Sequence, residues 1–345
     1  ERLGGGRRCL ALRATVAARC KDLFAARHAA FAAKLGGVLE AETWTAATPV
    51  PPEFQRVLDD VASLAEGNEG DENGDASSRA SGDVAGLDAL VFPNTGERVV
   101  PVGASLALLK MLRDHVAAAA GFPSLAPTAV HKTAELLRVF NSRTSQLVLG
   151  AGAMRTAGLR SITAKHLALA TESVRLFALV APLLSASLAP FLPESRRLGL
   201  LAEFDRTVAD LAKHARELHA KTVGIMRDRL AHHSSRLPTI WCSRVFTERA
   251  SSAGSSAGKE DDDEGKGEIE DAESAKGPSE FATALGKEIE TLRHVVAGTL
   301  CARDAAAVFD EVLAHFDECA TGTLGDARRS VAKEWRAKMG DRGEG

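Results

Sequence analysis

The sequence predicts an all-α fold of elongated antiparallel helical bundles, with one small β-hairpin as the exception. Three observations carry this. Alanine, leucine and charged residues dominate the 345-residue chain, aromatic residues make up only 5% and tyrosine is absent, a composition that favours helix. Apolar residues recur at steps of three and four over most of the length, the period of one helix face. Long β-branched runs, the usual sign of buried strands, are missing.

The first helix is expected from Arg8 to Leu39, where Leu12, Val16, Cys20, Leu23, Phe24, Phe31, Leu35, Val38 and Leu39 form one stripe. "TPVPPEF" stops it, because prolines remove donors and push their neighbours out of the helical region. A shorter helix follows with Phe54, Val57, Leu58, Val61 and Leu64 on one face. "LVFPNTGERVVPVG" is the one strand signal, two short β-prone runs around Asn94, Thr95 and Gly96 that must lean on helices to be stable. Three periodic stretches come next: Ser105 to Ala120, Thr128 to Leu149 behind the helix-starting Pro127, and Thr163 to Ala181, ending near Pro182 or Pro190. After "PFLPES" lies the longest pattern, with heptad seams Leu201, Val208, Ala215, Thr222 and Phe204, Leu211, Leu218, Ile225. Alanine and threonine in the seam favour packing within the chain over a free coiled-coil dimer. Phe281 to Val296 and Val308 to Phe316 define two further helices, and Ala327 to Met339 places Val331 and Trp335 four apart.

Two segments break the helical pattern. "EGNEGDENGDASSRASGD" has almost nothing to bury, and "ASSAGSSAGKEDDDEGKGEIEDAESAKGPSE" is low-complexity and acidic; both are expected to be disordered. The expected organisation is an N-terminal helical segment at 1–66, a disordered linker at 67–88, a central helical bundle at 89–249, an acidic disordered insert at 250–278 and a C-terminal helical segment at 279–340.

Gross charge advertises no partner. With 43 Lys and Arg against 46 Asp and Glu, the formal balance of -3 argues against a nucleic-acid groove or a polybasic membrane anchor. Cys9, Cys20, Cys242, Cys301 and Cys319 include no CxxC pair, so neither a disulfide scaffold nor a zinc knuckle is expected, and a reducing cytosolic setting fits. By count, no run approaches the ~18 apolar residues of a membrane span. The charged opening "ERLGGGRRCL" has no signal-peptide core, and the missing Met points to a piece of a longer chain.

The letters LVLGAG, at 147–152, pose the one chemical question. A dinucleotide site would need a third glycine three residues on, where Arg155 stands, and a preceding apolar strand, where "TAVHKTAELLRVFNSRTSQLVL" has helix spacing. Glu172 lies about twenty residues past Gly152, where a ribose-binding acid could sit, yet inside a helical pattern. No Gly-Lys-Ser or Gly-Lys-Thr follows for a phosphate loop. A helix corner accounts for each glycine: Gly150 as a left-handed helix end, Gly152 as a second turn, and Gly158 as a reversal before Ser161 or Thr163 caps the next helix. Asn141, Ser142, Arg143, Ser145 and Gln146 are expected either to brace that corner through backbone carbonyls or to face a partner. Asp210 with His214, and His232 with His233, lack a third metal ligand and are expected to be solvated or at a helix end. No catalytic, cofactor or metal site is expected.

Taken together, "FNSRTSQLVLGAGAMRTAGLRSITAKHLALA", "ETWTAATPVPPEFQRVLDDVAS", "LPESRRLGLLAEFDRTVADLAKHARELHAK" and "IMRDRL" resemble the C-terminal half of the vacuolar protein sorting-associated protein 54 family. The central segment is the specific part. Similarity runs from about Phe31 to Ala231 and more faintly to Trp335, while the two inserts and the lack of tyrosine depart from the family. The resemblance implies a helical-rod subunit of the Golgi-associated retrograde protein (GARP) tethering complex, acting without enzymatic activity in transport from endosomes to the trans-Golgi network. It implies sister subunits joined through an N-terminal region absent here. It further implies endosomal vesicle proteins, SNAREs or small GTPases as partners, and an indirect, peripheral association with the cytosolic face of those membranes. The alternatives are a nucleotide-binding enzyme using the LVLGAG turn and a coiled-coil structural protein dimerising along Leu201 to Ile225.

Overall fold

The computed structural model describes residues 5–66, 87–234 and 280–340. Of the expected linker at 67–88, residues 67–86 lie outside the described residues, whereas Leu87 forms an antiparallel bridge with Val50; the insert expected at 250–278 lies outside them as well. The chain divides into two compact units, Glu1–Thr222 with Val295–Ala302, and Val223–His294 with Arg303–Gly345. This division differs from the one drawn on composition: the N-terminal helices share a unit with the central ones, and the longest helix changes unit at its fourth-last turn.

The first unit holds α1 (Gly5–Glu40), α2 (Pro52–Ala65), the hairpin strands β1 (Leu90–Val91) and β2 (Arg98–Val99), α3 (Gly103–Gly121), α4 (Ala126–Thr144), α5 (Ala153–Thr156), α6 (Ala164–Leu188) and α7 (Glu194–Ser234) through Thr222. Helices α1 to α4 and α6 pack pairwise around one core. Leu35, Leu39, Leu58, Leu108, Leu112, Leu137, Phe140 and Phe177 are fully enclosed there, each contributing about 1.5–3 kcal/mol of burial. Phe140 and Phe177 meet edge to face with ring centroids 4.7 Å apart.

Polar side chains from distant segments complete the element ends. Val102 precedes α3 and offers no cap, so Glu42 supplies one: its Oε2 accepts the Ala104 N–H at 2.8 Å and its Oε1 accepts the Trp44 N–H at 3.1 Å. The Gln55 amide of α2 behaves as a piece of strand, accepting from Val91 N–H at 2.9 Å and donating to Val91 C=O at 2.7 Å. It thereby pairs one edge of the hairpin. The hairpin pairs antiparallel, Leu90 with Val99 and Val91 with Arg98, and turns at Gly96, whose φ is +69°.

Helix α6 ends close to Pro190, the second of the two prolines expected to stop it, and departs from the sequence reading once. It continues through Pro182 to Leu188, because Val180, Ala181, Leu184 and Leu188 are buried on both sides of the proline and offset the lost hydrogen bond. By length and composition the stretch Ala164–Phe191 is also apolar enough to cross a membrane, contrary to the count of apolar runs. Its burial by α2, α3 and α4 accounts for that composition, since a core helix is apolar all round.

Within α6, Glu172 is 1% exposed. Arg175 grips it with two N–H donors at 3.1 Å each and reaches the hairpin through Glu97 Oε2 at 2.6 Å and the Arg98 carbonyl. Glu172 also accepts the Cys301 N–H at 3.4 Å. Burial pushes the Glu172 carboxyl above its ordinary range while Arg175 pulls it back. The residue weighed as a ribose ligand is a structural ion pair.

The second unit holds the end of α7 from Val223, α8 (Glu280–Ala297) to His294 and α9 (Ala302–Gly340) from Arg303. Val223, Met226, Leu230, Leu285, Leu292, Ala305, Val308 and Val312 are the buried apolar residues among its described ones, and Arg229 pairs with Glu288 at 3.0 Å. The expected last helix from Ala327 is the continuation of α9, and the side chains of Val331 and Trp335 lie outside the described residues.

Two stability outcomes follow from the first unit's core. Leu137→Ala and Leu211→Ala, both at fully buried positions, are expected to lower unfolding free energy in urea by about 2–5 kcal/mol each, whereas Leu198→Ala, at 86% exposure, should change it by less than about 0.5 kcal/mol. His115 is enclosed beside Phe24, Phe31 and His28, and burial, with the nearby His28, Arg27 and Lys132 charges, pushes its pKa down to about 3 from 6.5. The unfolded chain thus takes up a proton that the core refuses, so stability is full above pH 6.5 and declines toward 3. The slope from this group is up to about 1.4 kcal/mol per pH unit, and His115→Asn should flatten it in denaturant titrations between those limits.

Candidate functional site

The corner after α4 is built differently from a glycine-ended helix. From Ser145 to Leu149 the helix widens by one residue per turn, and the Gly150 N–H donates to Ser145 C=O at 3.1 Å. The Gly152 N–H then donates to Gln146 C=O, also at 3.1 Å. Gly150 and Gly152 both have ordinary negative φ, −81° and −60°; the left-handed residue between them is Ala151, at φ +53°. The glycines are required by space. A Cβ at Gly150 would stand 2.6 Å from the Gln146 carbonyl oxygen, and one at Gly152 would stand 2.9 Å from it. Gly158 is the position that needs the left-handed region itself, at φ +68° with open space around it. Thr163 caps α6, its Oγ1 accepting from the His166 N–H at 3.5 Å while the Thr163 N–H donates to His166 Nδ1 at 3.2 Å.

This geometry disposes of the nucleotide reading of LVLGAG. A helix feeds the turn where a strand is required, and the amides of Gly150 and Gly152, which would have to face a phosphate, are spent on backbone carbonyls.

The polar residues of the corner open onto a cleft of about 490 Å³ between α4 and α7. Asn141, Ser142, Ser145 and Gln146 line one wall, and Asp210, Lys213, His214 and Glu217 the other. Ser142, Arg143 and Gln146 are exposed, and Arg143 donates to the Gln146 side chain at 3.4 Å. Among the described residues, Asn141 is the member that reaches another element, its Oδ1 lying 2.6 Å from His214 Nδ1. That nitrogen donates, which leaves His214 Nε2 as an acceptor, buried and without a partner among the described residues. Burial holds the imidazole neutral by lowering its pKa, partly opposed by Glu217. Glu203 of α7 braces the same helix pair through His131 and, at 3.6 Å, Arg138 of α4.

His214 is accordingly not the solvated histidine expected from spacing, and the seam of α7 shifts with it. The enclosed positions are Phe204, Thr207, Leu211, His214, Leu218 and Thr222; Leu201, Val208, Ala215 and Ile225 are half-buried. Counting apolar letters alone missed a seam whose second row is polar. Asp210 is exposed, as is His232, and the His233 side chain lies outside the described residues. Among the described residues no three His, Cys, Asp or Glu side chains are grouped to hold a metal.

Comparison with known proteins places this region in context. The family model of Vps54-like protein matches residues 96–229, which take in the hairpin turn, the corner, the cleft and most of α7. The chain is 33% identical over 239 residues to vacuolar protein sorting-associated protein 54, chloroplastic, of Arabidopsis thaliana, covering 69% of this chain and 21% of that protein. It is 34% identical over 193 residues to vacuolar protein sorting-associated protein 54 of Rattus norvegicus, covering 56% of this chain and 19% of that protein. With the protein of the same name from Schizosaccharomyces pombe it shares 33% identity over 139 residues, 40% of this chain and 14% of that one. The chain thus spans about a fifth of the length of the curated relatives it matches. No solved structure matches it.

The two kinds of glycine at the corner separate by mutation. Gly150→Ala and Gly152→Ala, which drive a methyl group into backbone, are expected to cost about 1–3 kcal/mol or more in thermal or urea unfolding. Gly158→Ala should cost about 1–2 kcal/mol through backbone conformation alone. Ala151→Gly should be neutral to mildly stabilising, because the relief of its left-handed strain offsets the greater entropy of glycine in the unfolded chain.

Proposed function

The chain belongs to the Vps54-like family, a vacuolar protein sorting family, and from that premise we propose that it is a non-enzymatic segment of a vesicle-tethering subunit. The reading is of the GARP complex, acting in retrograde transport from endosomes to the trans-Golgi network on the cytosolic face of those membranes. Sister subunits join through regions of the longer protein beyond this segment, and this segment meets endosomal vesicle proteins, SNAREs or small GTPases. Its association with membrane is then peripheral and indirect.

The single observation carrying this reading is the family match over residues 96–229, which falls on packed helices and a polar corner. Physical chemistry supports the same direction. A helical scaffold with a rigid core offers charged outer faces at fixed spacing, and recognition through such faces rests on a few anchoring side chains and electrostatic complementarity. On α7, Arg206, Lys213 and Arg216 are exposed on or beside the cleft wall.

The test uses immobilised protein and vesicles prepared from endosomes, with endoplasmic-reticulum vesicles as the comparison. Preferential retention of the endosomal vesicles is expected, and the combined variant Arg206→Glu, Lys213→Glu, Arg216→Glu should reduce it by about tenfold, roughly 1.4 kcal/mol, with thermal unfolding unchanged. Equal retention of both vesicle types would refute the tethering role. Retention that survives the charge reversal would move the contact off this face of α7.

A further inference from the structure

Helix α1 carries an apolar stripe longer than the core that uses it. Phe24, His28, Leu35 and Leu39 are buried, whereas Leu12, Val16 and Leu23 are exposed at 65%, 46% and 71%. These exposed residues belong to one line, Leu12, Val16, Cys20, Leu23, Arg27, Phe31 and Lys34, in repeating steps of four, four and three that keep to one helix face. Toward Lys34 the line becomes one wall of a groove whose other wall is α3. One pocket of about 380 Å³ lies between Leu23 and Phe122, the latter 50% exposed, with Ala117, Ala118 and Gly121 as its small-residue side. The next, of about 460 Å³, lies between Phe31, Phe54 and Leu106, and is rimmed by Lys34 and Lys110. Asp114 lines both, and the Arg27–Asp114 pair at 2.6 Å marks their junction. From Leu12 to Lys34 the track is about 33 Å long at 1.5 Å per residue.

We propose that this α1–α3 track is a docking site for an amphipathic helix with an acidic rim, supplied by a partner protein. Charge selects the occupant. From Leu10 to Glu40, α1 carries Arg13, Arg19, Lys21, Arg27 and Lys34 against Asp22 and Glu40, and α3 adds Lys110 to the groove rim. Arg27 is met by Asp114, which leaves exposed Arg13, Arg19, Lys34 and Lys110 along the track to face carboxylates. A second copy of the same face would set these cations against each other, at a cost similar to that of like-charge helix pairs. A bilayer fits less well than a helix. The stripe is narrow and interrupted by Arg27 and Lys34, and a flat surface does not enter a groove walled by α3. This site is separate from the α7 face, and its test does not depend on the tethering role.

The probe is a fluorescein-labelled helical peptide of about 24 residues, matched to the track length, with leucine at its seam and glutamate on both flanks. Its control has lysine for each glutamate. Fluorescence anisotropy with the full chain should show saturable binding of the glutamate peptide, weaker at high ionic strength, and no saturation with the lysine peptide. Leu23→Asp and Val16→Asp, at exposed positions, should each weaken binding about tenfold with circular dichroism unchanged, and Arg13→Glu with Arg19→Glu should do the same. Equal binding of both peptides, or binding unaffected by Leu23→Asp, would overturn the proposal. So would phosphatidylserine vesicles recruited as strongly as the peptide and lost with the same variants, or light scattering showing a dimer that Leu23→Asp dissolves.

Discussion

A single carboxylate in the most apolar of the described helices constrains how the first unit closes. Glu172 lies among side chains that would favour its neutral form, and several kcal/mol of desolvation oppose its charge. That cost is offset by Arg175, which grips both oxygens, and by the Cys301 and Val100 amides, while Arg175 in turn is met by Glu97 and the Arg98 carbonyl. The hairpin, α6 and the residue entering α9 must therefore arrive in one arrangement. Apolar packing alone would tolerate sliding among leucines, while a buried ion pair with fixed geometry tolerates little.

The corner after α4 shows a second constraint of the same kind, made from backbone instead of charge. Two amides fold back on successive carbonyls, and the chain passes so near the Gln146 oxygen that two positions are denied a side chain. The strained φ falls on Ala151, between them. The reversal sets the direction of α6 and leaves Asn141 facing α7, where it orients the neutral His214. The polar residues of the corner thus divide by position: Asn141 fixes a neighbouring helix, Ser142, Ser145 and Gln146 line an open cleft, and Arg143 donates to Gln146.

Under the proposed tethering role, binding depends on surfaces that a packed core holds in place. The packed α1–α4 and α6 core holds the α1–α3 groove in place, and the contacts of His214 with Asn141 and of Glu203 with His131 hold the α7 face against α4, so the proposed partners would meet surfaces with little ordering entropy left to lose. The two faces differ chemically. The α7 face is mixed in charge and polar, whereas the α1 track is apolar with a cationic rim, so the two proposed contacts call for partners of different chemistry.

Helix existence was legible from the sequence because burial of one face imposes a period of three to four on the chain itself, whereas the unbroken run of α9 from Ala302 to Gly340 was not. The hairpin at Leu90 to Val99 was legible for a similar reason, as a turn between short β-prone runs. So was the identity of the LVLGAG turn as a corner, since a phosphate site needs a strand and a third glycine that the letters do not provide. Tertiary structure alone decided which rotation each helix adopts: Thr207 and His214 in place of Val208 and Ala215 in the α7 seam, and Leu12, Val16 and Leu23 left uncovered on α1. It also decided that the corner glycines answer to a carbonyl oxygen and not to φ, and that Glu172 pairs with Arg175. The reason is common to all of these. Periodicity is a property of one segment, but polar satisfaction, close approach and cover are set by a second segment far away in sequence, and nothing local records where that segment lies.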